Sequence, residues 1–380
     1  MDFELDQELT LVRDMARDFA ENELLPRAAK HDRQEHLDPE VFLKLGELGL
    51  LGLTIPEEFG GSGLGNLALA TVLIELNRAC ASTGVTVSVH NSLVGAPLKR
   101  FGTPEQQRTW FPRLASGEIL GAYCLTEPNA GSDAASLATT ARQDGSDYVL
   151  DGTKIWVTNG MEAGLFIVYA RTDSKAPRAN GISAFLVPKD TKGLRIGKKE
   201  KKAGIRGSTA TEVILEGARV PATSMLGEKN RGFQVAMDTL DGGRIGIAAQ
   251  AVGIAEACLF EATKYAKERQ QFGQPIANFQ AVQWKLADMS TQLEASRLLT
   301  LRAAWLRDKG EPCGQQAAQA KLMASKTANF CADEALQIHG GAGYTDHFPI
   351  ERLFRDARIT EIYEGATDIQ RIVIARKVLA

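Results

Sequence analysis

Four short stretches combine residue types that could do chemistry. In Ile362-Tyr363-Glu364-Gly365 an acidic residue sits between an aromatic side chain and a glycine on a short apolar loop. Desolvation there would raise the carboxyl pKa towards the range of a general base, although a solvated loop glutamate explains the same pattern. Lys154-Ile155-Trp156-Val157-Thr158 places an indole and a hydroxyl two residues apart, on one face of an extended strand. Such a pair could cover a flat heterocycle such as an isoalloxazine and donate a hydrogen bond to it, or the indole could simply be core. Leu125-Thr126-Glu127-Pro128-Asn129-Ala130-Gly131-Ser132-Asp133 leaves a strand for a loop of small and hydroxyl residues. It could offer N–H and O–H groups to a polar ligand edge, or be an ordinary polar turn. Gln337-Ile338-His339-Gly340-Gly341-Ala342-Gly343 ends a helical stretch, where its glycines serve either as a helix stop or as a close approach to a pyrophosphate.

Other routes close. No GxGxxG follows a strand, and Walker-type GxxxxGK, HExxH and GxSxG are absent. Five scattered cysteines have neither disulfide-framework nor CxxC spacing, which predicts packing roles in a reducing compartment and no metal site. A net charge of -3 with mixed signs along the chain provides no basic stripe for nucleic acid. With 44% hydrophobic and 24% charged residues the composition is that of a water-soluble chain, and no transmembrane segment is expected. The acidic start Asp2-Phe3-Glu4-Leu5-Asp6 is unlike a leader, so a cytoplasmic location is expected.

The elements that must position these residues fall into three blocks. Residues 1–118 have helical periodicity. Leu9, Val12, Ala16 and Phe19 share a face, with Pro26 expected to limit the first helix. Leu67 to Ala79 forms another helix, and Thr103-Pro104 with Gln106 a capping box for a third. Residues 119–228 turn to short β-rich runs, with Asp151-Gly152 predicted as a two-residue hairpin turn and strands over 165–170, 182–187 and 211–215. An antiparallel sheet or small barrel follows, not a Rossmann domain. Residues 229–380 predict helices over about 242–269, 278–309 and 315–338, closed by a shorter one after Thr367, with Thr367 and Gln370 at N-cap and N3 spacing. The expected fold class is multidomain α+β: a helical domain, an antiparallel β-barrel-like domain and a four-helix bundle.

Taken together, in this order and spacing, the motifs resemble the acyl-CoA dehydrogenase family over essentially the whole chain. The likeness continues through Lys202 to Thr209, Leu240-Asp241-Gly242-Gly243-Arg244, and Arg269 with Phe272-Gly273. The stretches Gly243 to Gln250 and Arg358 to Gly365 are most similar to the short-chain, butyryl-CoA branch. The resemblance implies an FAD enzyme and a homotetramer built as a dimer of dimers, passing electrons to an electron-transferring flavoprotein. Glu364 would take the α-proton of a short-chain acyl-CoA while hydride leaves the β-carbon for flavin N5. Tyr123, Leu125, Thr126, Ser132, Trp156, Val157 and Thr158 would line the flavin. Arg269, Phe272, Gln280, Gln337, Gly340 and Gly341 would hold the rest of FAD, partly across a subunit contact, with Ala366, Thr367 and Asp368 also beside it. Ser132, Asp241, Arg244, Gln250 and Gly365 would meet the substrate, Gln250 as the floor of the acyl pocket. Ala366 stands where most relatives carry threonine, as in some 2-methyl-branched-chain members. Gly243 stands where other relatives place an alternative base, leaving Glu364 as the only one. The rival readings are a 2-methyl-branched short-chain dehydrogenase, an oxidase or monooxygenase on this fold, and a non-catalytic acyl-CoA-binding protein.

Overall fold

The structure, a computed structural model, describes residues 5–380. The opening block is helical, as expected. Asp6 caps α1 (Gln7–Phe19), its carboxylate accepting from Leu9 N at 2.8 Å. Pro26 does not end this helix. A π-helical turn, Ala20–Leu24, leads into α2 (Leu25–Gln34), where Pro26 occupies the first turn and needs no N–H partner. The chain continues through α3 (Glu40–Glu47), α4 (Asn66–Ala79) and α5 (Ala81–Ser88). A second π-helical stretch, Val89–Gly95, joins α5 to α6 (Ala96–Phe101). In α7 (Pro104–Ala115) the predicted capping box is present: Gln106 N donates to Thr103 Oγ1 at 3.2 Å and Thr103 N to Gln106 Oε1 at 3.0 Å.

The middle block begins with β1 (Leu120–Cys124), β2 (Thr140–Asp144), β3 (Asp147–Thr158) and β4 (Ala163–Arg171). It is completed by β5 (Ile182–Pro188), β6 (Leu194–Lys199), β7 (Ala210–Pro221) and β8 (Met225–Leu226). The sheet order is β6-β7-β3-β2-β4-β5-β8 with β1 added beside β4; the β1–β4 pairing and a single β2–β4 bridge are parallel and the other strand pairs antiparallel, among the described residues. Along β4, Leu165, Ile167 and Tyr169 pack towards Phe111, Leu114 and Val235, while Phe166, Val168 and Ala170 pack with Val213 and Leu215. Both faces of a central strand are therefore covered, one by helices and one by the sheet itself, the burial pattern of a barrel-like layer. The hairpin turn is misplaced in the sequence reading. Asp144 pairs with Asp147 across Gly145-Ser146, whereas Asp151-Gly152 lies inside β3 at a register shift. Gly152 is needed there for another reason: its φ is 151° and a Cβ would stand 2.8 Å from Thr139 Cα.

The closing block is a bundle of α8 (Gly232–Glu268), α9 (Gln280–Asp308) and α10 (Gly314–His339). A two-stranded ribbon, β9 (Gln270–Gln271) with β10 (Gln274–Pro275), links α8 to α9. Helix α8 starts ten residues earlier than periodicity predicts, because Gly242 and Gly243 lie within it rather than before it. Two shorter helices complete the bundle, α11 (Ile350–Ile359), which the sequence reading missed, and the expected α12 (Thr367–Val378). Small residues dominate the buried faces of α8 and α10, and Ala248, Ala251, Ala324 and Ala328 share one core cluster. Helix α8 is long and apolar enough to cross a membrane by length and composition alone, but 78% of its most apolar stretch is buried, which makes it the core helix of the bundle. All five cysteines are free and buried, as their spacing predicts.

Candidate active site

Glu364 lies in the turn between α11 and α12. Its φ is 50° and that of Gly365 is 95°, so a non-glycine residue occupies the left-handed region at a cost of about 1–2 kcal/mol. Contacts on both sides hold this turn. Lys321 Nζ donates to Thr360 O at 3.1 Å and to Gly365 O at 2.7 Å. Ser325 Oγ donates to Thr360 O at 2.8 Å, and Gln370 Nε2 to Gly365 O at 2.7 Å. Thr367 is not an N-cap. Ala366 takes that position without a side-chain bond, while the Thr367 hydroxyl donates back to Glu361 O at 3.2 Å. Asp368 points to solvent and pairs with Arg371 at 2.7 Å.

The turn aims the Glu364 carboxylate at α8. An added Cβ on Gly243 would meet Glu364 Oε2 inside the 3.0 Å that real Cβ atoms essentially never breach, and would stand 2.8 Å from Leu93 Cδ2. Glu364 Oε2 is shut off from solvent and has no hydrogen-bond partner. Burial pushes this carboxyl up to about 7, with Lys321 and then Arg244 pulling the other way. Beside it, Tyr363 Oη donates to Gln250 Oε1, and the fully buried Gln250 donates from Nε2 to Ala81 O at 3.1 Å. Arg244, also buried, holds Asp241 at 2.6 Å, and its Nε lacks a partner. Burial raises the Asp241 carboxyl while Arg244 opposes the rise.

A second group assembles where β1 meets β3. Tyr123, on β1, tilts against Tyr169 at 5.1 Å with its hydroxyl buried and unpartnered. The following loop, Leu125 to Ser132, is tied to β3 immediately before Trp156: Ile155 N donates to Thr126 O at 2.9 Å, and Lys154 Nζ to Leu125 O at 3.2 Å. Lys154 also forms a buried ion pair with Glu127 at 2.6 Å. The Glu127 carboxylate further accepts from Ala138 N at 2.6 Å and Thr139 N at 3.0 Å; burial favours its neutral form, but Lys154 and these bonds hold it below the usual range. Trp156 has φ 58° at a bulge in the β3–β7 pairing and is 57% exposed. Val157 points inward, Thr158 is half-buried, and Ser132 is exposed at the loop end. The indole and the loop are thus neighbours on one open face.

The third group lies at the far end of the bundle. Arg269 ends α8, Gln280 opens α9, and Gln337, Gly340 and Gly341 end α10. The α8 and α10 ends meet through Tyr265, which stacks on His339 at 4.2 Å. Arg269, Gln280, Gln337 and both glycines are exposed, and Phe272 is 93% exposed. Gly340 stops the helix at φ 58°, and added Cβ atoms on Gly340 and Gly341 would meet nothing within 4 Å. No hydrogen bond joins these residues to the Glu364 turn or the Trp156 arm of the same chain, among the described residues. An exposed indole, an exposed phenyl ring and an open glycine backbone are what a long ligand with a flat ring and a pyrophosphate would cover, so the residues fit FAD.

Sequence reading missed the residues that hold the site together: Lys321, and the Glu127–Lys154 pair. Lys321 did leave a signal. It lies four residues after Ala317 and between Ala320 and Ala324, on the small-residue face that packs against the bundle, where a lysine is rarely buried without a specific partner for its ammonium.

Family models describing the N-terminal, middle and C-terminal domains of acyl-CoA dehydrogenases match residues 6–118, 122–218 and 230–379. The chain is 51% identical over 377 residues to the short-chain specific acyl-CoA dehydrogenase, mitochondrial, of Mus musculus, covering 99% of this chain and 91% of the relative. Butyryl-CoA dehydrogenase from Megasphaera elsdenii superimposes with TM-score 0.98 at 42% identity, covering all of both chains. A chain solved under the description "Electron transferring flavoprotein of Acidaminococcus fermentans" does so with TM-score 0.98 at 45% identity, again over all of both chains. With three domain models in order and the shut-off, unpartnered Oε2 of Glu364 facing a glycine of the core helix, the chain belongs to the acyl-CoA dehydrogenase family.

Proposed function

We propose that this protein is an FAD-dependent dehydrogenase that converts a short-chain acyl-CoA to the trans-2-enoyl-CoA, with Glu364 as the α-proton base. The observation that carries the reading is Glu364: a half-buried residue whose Oε2 is shut off from solvent without a hydrogen bond, whose carboxyl is raised to about 7, and which sits on a strained turn. A carboxylate in water is far too weak a base for the α-proton of a thioester. Desolvation strengthens it, and an acyl chain lying over the turn excludes more water. Bound FAD would supply the hydride acceptor for the β-carbon. Trp156, Thr158, Thr126 and Ser132 would hold its ring, and Arg269, Phe272, Gln280, Gln337, Gly340 and Gly341 of a second copy its remaining length. Arg244 and Asp241 would orient the CoA arm near the turn, and the Glu364 backbone N–H would polarise the thioester carbonyl.

A homotetramer, made as a dimer of dimers, fits the large apolar side chains left on the bundle surface, among them Phe272, Trp284 at 66% exposure and Trp305 at 46%. An electron-transferring flavoprotein is the proposed acceptor, supported by the likeness to the Acidaminococcus fermentans chain. Cytoplasmic residence is supported by five unpaired, buried cysteines.

The test is anaerobic titration of the purified yellow protein with butyryl-, 2-methylbutyryl- and octanoyl-CoA, following flavin bleaching. Butyryl-CoA should bleach wild type, whereas Glu364→Gln should bind it and reduce about 100- to 10,000-fold more slowly, a barrier increase of roughly 3–5 kcal/mol. Reduction of the variant within a few-fold of wild type would remove Glu364 from the role.

A further inference from the structure

The most unusual buried group outside the reacting residues is Lys321. It is 1% exposed on the alanine-rich face of α10, and no acid lies within ion-pair distance of it among the described residues. Its two acceptors are backbone carbonyls: Thr360 O, at the C-terminus of α11, and Gly365 O, directly after Glu364. Both carbonyls already have a neutral donor, Ser325 Oγ for Thr360 and Gln370 Nε2 for Gly365. Holding the turn therefore does not require an ammonium, and burying one is expensive. What Lys321 adds is charge, placed at a helix C-terminus and behind the Glu364 turn.

We propose that Lys321 is a positioning residue that supplies the buried positive charge behind Glu364 and holds its carboxylate in the proton-accepting form. The proposal rests on Glu364 being the base. The groups facing Glu364 are Lys321 from α10, Arg244 from α8, Tyr123 from β1 and its neighbour Tyr363. Arg244 is engaged by Asp241 at 2.6 Å, which neutralises much of its field, whereas Lys321 has no such counter-ion. Glu361 also faces Lys321, but it pairs with Arg358. Burial lowers the Lys321 ammonium to about 8, so it is charged at neutral pH and discharges as the pH passes 8.

The sign follows. An ammonium behind the carboxylate favours its ionised form, so removing it moves the onset of base activity to higher pH. The experiment measures the anaerobic rate of flavin reduction by butyryl-CoA from pH 6 to 9 in wild type, Lys321→Met, Lys321→Gln and Glu364→Gln. Both Lys321 variants should retain FAD, and their rate profiles should move up by about one pH unit. That shift makes them about ten-fold slower than wild type near pH 6.5 and nearly equal at pH 9. A loosened turn would instead lower the rate at every pH without moving the midpoint, and an unmoved midpoint in either variant overturns the proposal. Failure of both variants to fold and hold FAD also overturns it, because Ser325 and Gln370 are argued to suffice for the turn. Glu364→Gln separates the two readings: its reduction at a wild-type rate would refute the base itself, whatever the Lys321 variants do.

Discussion

Gly243→Ala tests the geometry at its tightest point. The substitution adds one methyl group in the middle of α8, where alanine is favoured over glycine by about 1 kcal/mol. The new Cβ would overlap Glu364 Oε2 and press on Leu93 Cδ2 at 2.8 Å. Leu93 can yield by a few tenths of an ångström. The carboxylate is the free end of a side chain with no bond on Oε2, so it swings away instead of unfolding the protein. To reach ordinary van der Waals contact the oxygen must move by about 1 Å, and a misplacement of that size costs on the order of 100-fold in rate, or roughly 2.7 kcal/mol. Stability should therefore change by less than about 1 kcal/mol, with helix propensity offsetting the strain. The assay pairs thermal unfolding with anaerobic stopped-flow reduction by butyryl-CoA. A variant that melts with wild type and reduces flavin within three-fold of it would refute the claim that Glu364 needs the space above Gly243.

Four further outcomes are expected. Because the folded Glu364 carboxyl titrates near 7, above the ordinary glutamate value of 4.5, the native state holds a proton the unfolded chain releases, and stability falls as pH rises from about 4.5 to 7. Glu364→Gln should accordingly melt higher than wild type at pH 8, by up to about 3 kcal/mol, and equally at pH 4; equal melting at pH 8 would contradict the burial. Gln250→Gly should raise the ratio of kcat/KM for octanoyl- over butyryl-CoA by opening space beside Tyr363, and should lose about 1–3 kcal/mol of stability for the buried Tyr363 Oη left unbonded, since Ala81 O keeps its helical bond. An unchanged ratio in a folded variant would place the pocket floor elsewhere. Arg269→Ala should release FAD faster in matched dialysis, with wild-type retention counting against a role for this exposed end of α8. Lys154→Met should destabilise by about 3–5 kcal/mol, since it leaves the Glu127 carboxylate buried without its partner; a loss below 1 kcal/mol in urea unfolding would mean the pair is not what anchors the loop.

Much of this arrangement is legible in the residues alone. Read alone, Tyr363-Glu364-Gly365 leaves a solvated glutamate open, and it is the resemblance that singles out Glu364; the fold then shuts its Oε2 off from solvent. Thr103 to Gln106 is a local signal and folds locally. Errors arise where tertiary contact overrides local chemistry. Asp151-Gly152 has the composition of a hairpin turn, yet the pairing of β3 with both β2 and β7 keeps the strand extended through it. Pro26 reads as a stop, but the preceding π-turn places it in a first turn, where its missing N–H does no harm. Gly242-Gly243 resembles a helix boundary because the need for a bare backbone opposite Glu364 comes from a residue more than a hundred positions later. Lys321 and Lys154 were passed over for a related reason: a lysine's partner can be a carbonyl or an acid anywhere in the chain, and only the fold identifies it.

The apolar core helix α8 has a further consequence for how the chain is made. Most of its cover comes from α4, complete long before it, and α10, which follows it, with α9 adding part of the cover in between. About 70 residues separate the end of α8 from the end of α10, so at ribosomal speeds of about 5–20 residues per second the helix waits roughly 4–14 s for α10. During that interval a helix with the hydropathy of a membrane span has one long face uncovered. A nascent chain at that stage would offer holding chaperones an apolar face, which the small residues of α10 cover once that helix is made.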